Sequence, residues 1–242
     1  MTDGDAVAHV DELSPSGMNS WTVDGTSELN QQSFWFRIGN SAAQQAVYSL
    51  ALKNISQDQP NALTTEHANS QFDFTVNYTL TGGSSGSARM NEVISIQNLR
   101  NTTLDFHLFQ YADFDLAGTK TGDTISLGSV GGLFTSASQT DGGLTAVEVL
   151  GTGANHGQAA LGNVLYSTLT SGKPTTLNGT AGPLGPGDAV YAFEWDLTIA
   201  PKACFTMSLD KYILPVTVPE PSTLTLAALG LVALFRRRLS RV

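Results

Sequence analysis

The chain has 242 residues, 41% hydrophobic and 14% charged, with 24 glycines and one cysteine. That is enough core material for one all-β domain of roughly 200–250 residues, and the lone Cys204 excludes an internal disulfide. The net charge is −9; Glu220 and four arginines lie in the tail, so the rest holds 20 acidic against 8 basic side chains. Such a surface repels phosphate backbones and argues against a nucleic-acid partner.

Residues 1–18 are polar and lack alternation, so a flexible N-terminal arm is expected there, followed by a β-sandwich body over 19–213. "VDGT" at 23–26 is an Asp-Gly turn signal. "SFWFRI" places Phe34, Phe36 and Ile38 on one face and Trp35 on the other. "QFDFTVNYTL" alternates strictly, with Phe72, Phe74, Val76, Tyr78 and Leu80 inward and Asp73, Thr75, Asn77 and Thr79 toward water. "GGSSG" at 82–86 matches the nucleophile pattern G-x-S-x-G with Ser84 at its centre, but a strand-like run follows where an esterase elbow needs a helix. A hairpin loop is the expectation.

"YADFDLAGTKTGD" at 111–123 gathers Asp113, Asp115 and Asp123, candidate calcium ligands without the EF-hand order. "GTGANHG" at 151–157 has the wrong glycine spacing for a dinucleotide loop and is expected to be an ordinary loop. His9, His67, His107 and His156 show no paired zinc spacing. One short helix is expected near 158–169, and "GPLGPGD" at 182–188 is a bend. In "VYAFEWDLTI", Tyr191, Phe193, Trp195, Leu197 and Ile199 face a core, while Ala192, Glu194, Asp196 and Thr198 face water. "PK" at 201–202 turns the chain into "ACFTMSL", with Cys204 a half-buried strand residue. Of the tryptophans, Trp21, Trp35 and Trp195, Trp35 is the one whose alternation leaves a carbohydrate platform open as a minority reading.

Ten to twelve strands without intervening amphipathic helices predict an all-β fold: an antiparallel β-sandwich, jelly-roll or immunoglobulin-like. No catalytic group, cofactor or converging pair of carboxylates is evident, so the body is expected not to be an enzyme.

The tail reads differently. Residues 214–221, "LPVTVPEP", form a proline-spaced linker ending in Pro219, Glu220 and Pro221. Residues 222–235 carry no charge and predict a single membrane helix of ~21 Å, short against ~30 Å of hydrocarbon. Arg236, Arg237 and Arg238 open a basic cytoplasmic tail over 236–242. "VPEPST", an apolar run and "FRRR" together resemble the PEP-CTERM sorting signal of Gram-negative bacteria, a tail also labelled an ice-binding protein C-terminal domain. The resemblance covers about 25 residues. It implies processing by exosortase, passage through the inner membrane and a final place at the cell surface or outside the cell. It further implies a biofilm or exopolysaccharide setting. The opening "MTDGDAVAHVDELSPSGMNSW" has no basic start and no apolar core, so export predicts a leader upstream. The expected function is a structural or adhesive matrix protein. The alternatives are a carbohydrate- or calcium-binding module and, ranked lower, an ice-binding protein or a secreted hydrolase.

Overall fold

The computed structural model describes residues 1–83 and 86–216. In chain order the strands are β1 (Thr2–Asp3), β2 (Ala6–Asp11), β3 (Gly17–Val23), β4 (Thr26–Leu29), β5 (Gln31–Ile38) and β6 (Gln45–Ala46). Then come β7 (Ala51–Gln59), β8 (Ala62–Ala68), β9 (Phe72–Gly82), β10 (Ala88–Asn98), β11 (Leu104–Asp113) and β12 (Asp123–Val130). The last are β13 (Leu133–Asp141), β14 (Leu144–Ala154), β15 (His156–Leu161), helix α1 (Val164–Leu169), β16 (Leu184–Gly187), β17 (Ala189–Ile199) and β18 (Cys204–Pro215).

They form two nine-stranded sheets. The first runs β1-β2-β3-β5-β11-β17-β15, with β4 on β3 and β6 on β5; the second runs β16-β12-β13-β14-β18-β10-β9-β8-β7. Pairing is antiparallel except for a short parallel contact of Gly17 and Met18 with Gln32. Gly17 has φ +59°, and a Cβ there would lie 2.1 Å from the Gln32 carbonyl oxygen, so only glycine allows that crossing. The all-β, two-sheet reading holds. An immunoglobulin sandwich of seven to nine strands, or an eight-stranded jelly roll, is too small for eighteen described strands.

Period-two alternation builds the core. Phe72, Phe74, Val76, Tyr78 and Leu80 of β9 meet Phe34 and Phe36 of β5 and Phe106 and Leu108 of β11 in one cluster. Phe72 stands edge-on to Phe36 and Phe106 at 5.0 and 4.9 Å, tying the sheets together; such pairs add about 0.5–1.5 kcal/mol beyond their buried area. Asp24 (φ 49°) and Gly25 (φ 81°) make the tight β3–β4 turn that the Asp-Gly signal foretold.

Several local expectations are corrected. Residues 1–18 are no loose arm: they supply β1, β2 and the start of β3, and Ala6, Ala8 and Met18 are buried. The body therefore runs from β1 through Pro215, and the expected linker begins inside β18, where Leu214 pairs with Thr145. Residues 151–157 are strand rather than loop, the end of β14 and the start of β15, save for a bend at Asn155. The helix is shorter than expected because its first residues extend β15 along β17. Cys204 is exposed at the start of β18. Ser84, Ser85 and all of 217–242, including Pro219, Glu220, Pro221, the expected membrane helix and Arg236 to Arg238, lie outside the described residues. No helix among the described residues is long and apolar enough to cross a membrane.

The decisive correction concerns β17, which is buried on both faces. Its first seven residues are all buried, Glu194 completely. A second apolar layer covers the outer face of the first sheet: Trp35, Phe109, Tyr111, Val190 and Ala192 lie under Leu165, Leu169 and Leu177. Leu165 and Leu169 of α1 are one helical repeat apart and share a face. Tyr166 of α1 meets Trp35 and Tyr111 of the sheet in a ring of edge-on aromatics, 5.9–6.2 Å apart. The strap after α1, residues 170–181, continues the cover.

Candidate active site

Two registers set the site. Arg37 of β5, His107 of β11 and Asp196 of β17 are direct cross-strand partners in one row. In the next row Phe109 pairs with Glu194, and Glu194 with His156 of β15. All share the outer face, so five polar side chains meet where the apolar cover gives way.

His107 Nδ1 lies 2.5 Å from Asp196 Oδ1 and 3.7 Å from Glu194 Oε1. The other Asp196 oxygen lies 3.2 Å from His156 Nε2, so this carboxylate joins two imidazoles. Asp196 and His156 are about a third exposed, His107 is nearly buried, and Glu194 is sealed. His107 Nε2 is buried without a hydrogen-bond partner, with the Asp105 carboxylate 3.9 Å away. Arg37 Nη2 approaches Glu194 Oε1 at 3.4 Å, and its guanidinium lies over the Phe109 ring at 5.6 Å. The strap closes the other side: the Leu177 amide donates to Glu194 Oε2 at 2.8 Å, and Arg37 Nη1 donates to the Thr175 carbonyl. The Asn178 amide donates to Gln158, and the Gly179 amide to the Gly157 carbonyl. A cleft of about 280 Å³ has Arg37 in its wall, together with Ala42, Gln45 and Asn69.

Burial pushes the Glu194 carboxyl up to about 7, with Asp196 adding to the rise; the Leu177 amide, His156 and Arg37 oppose it. A carboxyl poised there gains or loses its proton near neutral pH, which suits general acid–base work. His107, Glu194 and Asp196 could also surround a metal ion, their ligand atoms lying within 4.8 Å of one another.

The sequence-predicted calcium ligands divide. Asp113 and Asp115 come together, joined by Asp188, which sequence reading missed. Asp123 is not in that group; it is fully buried at the start of β12 beside Gln139. Nor did sequence reading find His107, Glu194 or Asp196 as a site. A signal was there: "AVYAFEW" is nearly unbroken in apolar residues, the mark of a strand covered on both faces.

Burial is the chief cause that raises seven carboxyls: Glu12, Asp123 and Glu194 to about 7, Asp113 to about 6, and Glu28, Glu92 and Asp115 in the same direction. In each, the folded chain keeps a proton that the unfolded chain releases above about pH 4–4.5. Their stabilisation is complete below that value and is lost as pH rises through 6 to 7. His67, lowered by burial, acts oppositely on the acid side. Thermal unfolding followed by circular dichroism is therefore expected to give a midpoint ~5 °C lower at pH 8 than at pH 5. An equal or higher midpoint at pH 8 would contradict this balance.

Three solved structures share this fold. Galactose 1-epimerase from Lactobacillus acidophilus NCFM superimposes with a TM-score of 0.58 at 7% identity, covering 89% of this chain and 93% of that one. A galactose mutarotase-like protein from Lactobacillus casei ATCC 334 gives 0.55 at 10% identity, covering 88% and 99%. A bacterial glucoamylase complexed with acarbose gives 0.57 at 10% identity, covering 85% of this chain, which spans only 29% of that enzyme. No curated protein matches the chain in sequence. At these identities the likeness is one of fold alone, a two-sheet β-sandwich. Residues 217–238 match the PEP-CTERM protein-sorting motif. That motif implies export, membrane transit and exosortase as the processing partner.

The expectation of a body that is not an enzyme is corrected here. It rested on the sequence offering no converging carboxylates. The chain has the fold of proteins described as epimerases, and Glu194 and Asp196 converge with His107 on its first sheet.

Proposed function

We propose that the chain is an exported carbohydrate-active protein whose body interconverts the anomers of an aldose. The observation that carries this reading is the meeting of His107, Glu194, Asp196, His156 and Arg37 on one open-edged sheet face. Interconversion needs one base and one acid. The base takes the proton of the anomeric hydroxyl, the C1–O5 bond breaks, and its electron pair goes to O5, which receives a proton from the acid. The free aldehyde turns about C1–C2, and the ring closes with the two roles reversed.

Glu194, with its proton labile near neutrality, suits the base. His107 suits the acid: Asp196 Oδ1 holds Nδ1 and orients the ring, and Nε2 has no hydrogen-bond partner of its own. Arg37 fixes the carboxylate, and Asp196 and His156 form the exposed lip that hydroxyls meet first. Because the strap covers Glu194 in this conformation, catalysis requires residues 175–178 to lift. The sorting motif, which implies export, fits an activity on sugars outside the cell.

A second reading, sugar binding without turnover, draws on one observation: both Glu194 oxygens are already engaged, by Arg37 and by Leu177. Polarimetry of freshly dissolved α-D-galactose and α-D-glucose with the purified chain separates the two. Accelerated decay of rotation supports the epimerase. Saturable binding without acceleration supports the binding module, and neither result removes both.

A further inference from the structure

The same ladder that holds His107 ends, six residues further along β11, in a second polar group of different chemistry. Asp113 is the last residue of β11, Asp115 follows just before the short 3-10 turn Leu116–Gly118, and Asp188 directly precedes β17. One oxygen from each lies within 4.8 Å of the others. Oxygens bound to a common calcium ion at 2.3–2.6 Å lie no more than roughly 5 Å apart, so the three already fit around one ion.

Acidic residues cluster on surfaces without binding anything, but burial distinguishes this group. Asp113 is only 8% exposed. Its Oδ2 accepts from Asn30 Nδ2 at 2.9 Å and from the Tyr111 hydroxyl at 3.5 Å, while its Oδ1 is buried with no hydrogen-bond donor. Asp115 Oδ1 is likewise buried and unpartnered. Leaving a buried acceptor unmet costs about 1–3 kcal/mol, more for a charged one. Lys120 is near enough for its charge to act on Asp113 and Asp115, yet among the described residues no ion pair joins it to either.

We propose that Asp113, Asp115 and Asp188 bind a calcium ion at the end of the first sheet. Three hard carboxylate donors with no nitrogen or sulfur select an alkaline-earth cation over zinc or copper. Irregular loop geometry favours calcium over magnesium, which demands a near-ideal octahedron. The ion pins the turn between β16 and β17, and the turn after Asp115, to the end of β11. It is separate from the His107 cluster and stands independently of the epimerase reading.

Tyr111, hydrogen-bonded to Asp113, offers a direct probe, because a nearby tyrosine sensitises terbium emission. The test uses the chelator-treated full chain, titrated with terbium under tyrosine excitation, then with calcium or magnesium while the unfolding midpoint is followed. Sensitised emission is expected, displaced by calcium, together with a midpoint several degrees higher in calcium than in magnesium. Asp188→Asn, on a turn, is expected to lose the emission and weaken calcium at least tenfold. Asp196→Asn, in the other cluster, keeps both responses. No emission and no calcium-dependent midpoint overturn the proposal. So does an unchanged response in Asp188→Asn, or loss in Asp196→Asn alone, which would place the ion at His107.

Discussion

Replacing Lys211 with Met is expected to lower the unfolding midpoint by ~10 °C or more. Lys211, on β18, is completely buried between the sheets, with Nζ 3.0 Å from Glu92 Oε1 and 3.1 Å from Glu148 Oε1. Both carboxylates are themselves fully buried. The opposite sheet completes the network: Gln32 donates to Glu92, and Gln110 and the Tyr191 hydroxyl donate to Glu148. Burial alone would lower the Lys211 ammonium, but Glu148 and Glu92 outweigh it and hold the group charged. Glu92 is raised, first by burial and with Glu148 adding, against the pull of Lys211.

Take away the ammonium and two carboxylates remain in a dry core with amide and hydroxyl donors alone. Breaking one partner out of a buried ion group costs about 3–5 kcal/mol, and a domain of 150–250 residues loses about 2–4 °C per kcal/mol. The same argument predicts rescue. Lys211→Met combined with Glu92→Gln and Glu148→Gln removes the stranded charges and is expected to recover much of the loss. A single variant within about 1 kcal/mol of the parent in urea titration would show that the network carries little of the fold's stability.

Glu194→Gln is expected to abolish catalysed mutarotation, by a factor of about 10²–10⁴, while the chain stays folded. Glutamine keeps the shape and can still accept from the Leu177 amide, but it cannot take a proton from an anomeric hydroxyl. The variant has a second signature. The Glu194 carboxyl is raised to about 7, so at pH 8 the folded chain holds a charge in a buried place that the unfolded chain holds in water. Neutral glutamine has no such charge, so Glu194→Gln is expected to lose part of the stability difference between pH 5 and pH 8, while the buried Arg37 left without its carboxylate offsets the gain at pH 8. A variant that loses both activity and fold would show Glu194 to be structural. Full retained activity would remove it from the proton transfer.

Much of the architecture was legible along the chain. Period-two stretches such as "QFDFTVNYTL" are paired strands with the expected inward faces. The Asp24-Gly25 turn falls where the dipeptide placed it. These features depend on neighbours within a few residues, and the sorting motif depends only on local order: Pro-Glu-Pro, an apolar run, then arginines. The N-terminal arm was misjudged because its strands are short and polar. They gain their burial from distant β9, where Asp3 Oδ2 accepts from the Gly82 amide.

The sequence by itself thus determined the strand period, the tight turn and the sorting tail. Only the tertiary structure decided the site. His107 and Asp196 are 89 positions apart and meet because β11 and β17 pair in one register; a slip of one residue would turn Asp196 into the opposite layer. Glu194 looked solvent-facing because one buried face is all that alternation can report. It took α1 and the strap, closing from outside the sheet, to strip it of water and set its proton near neutrality.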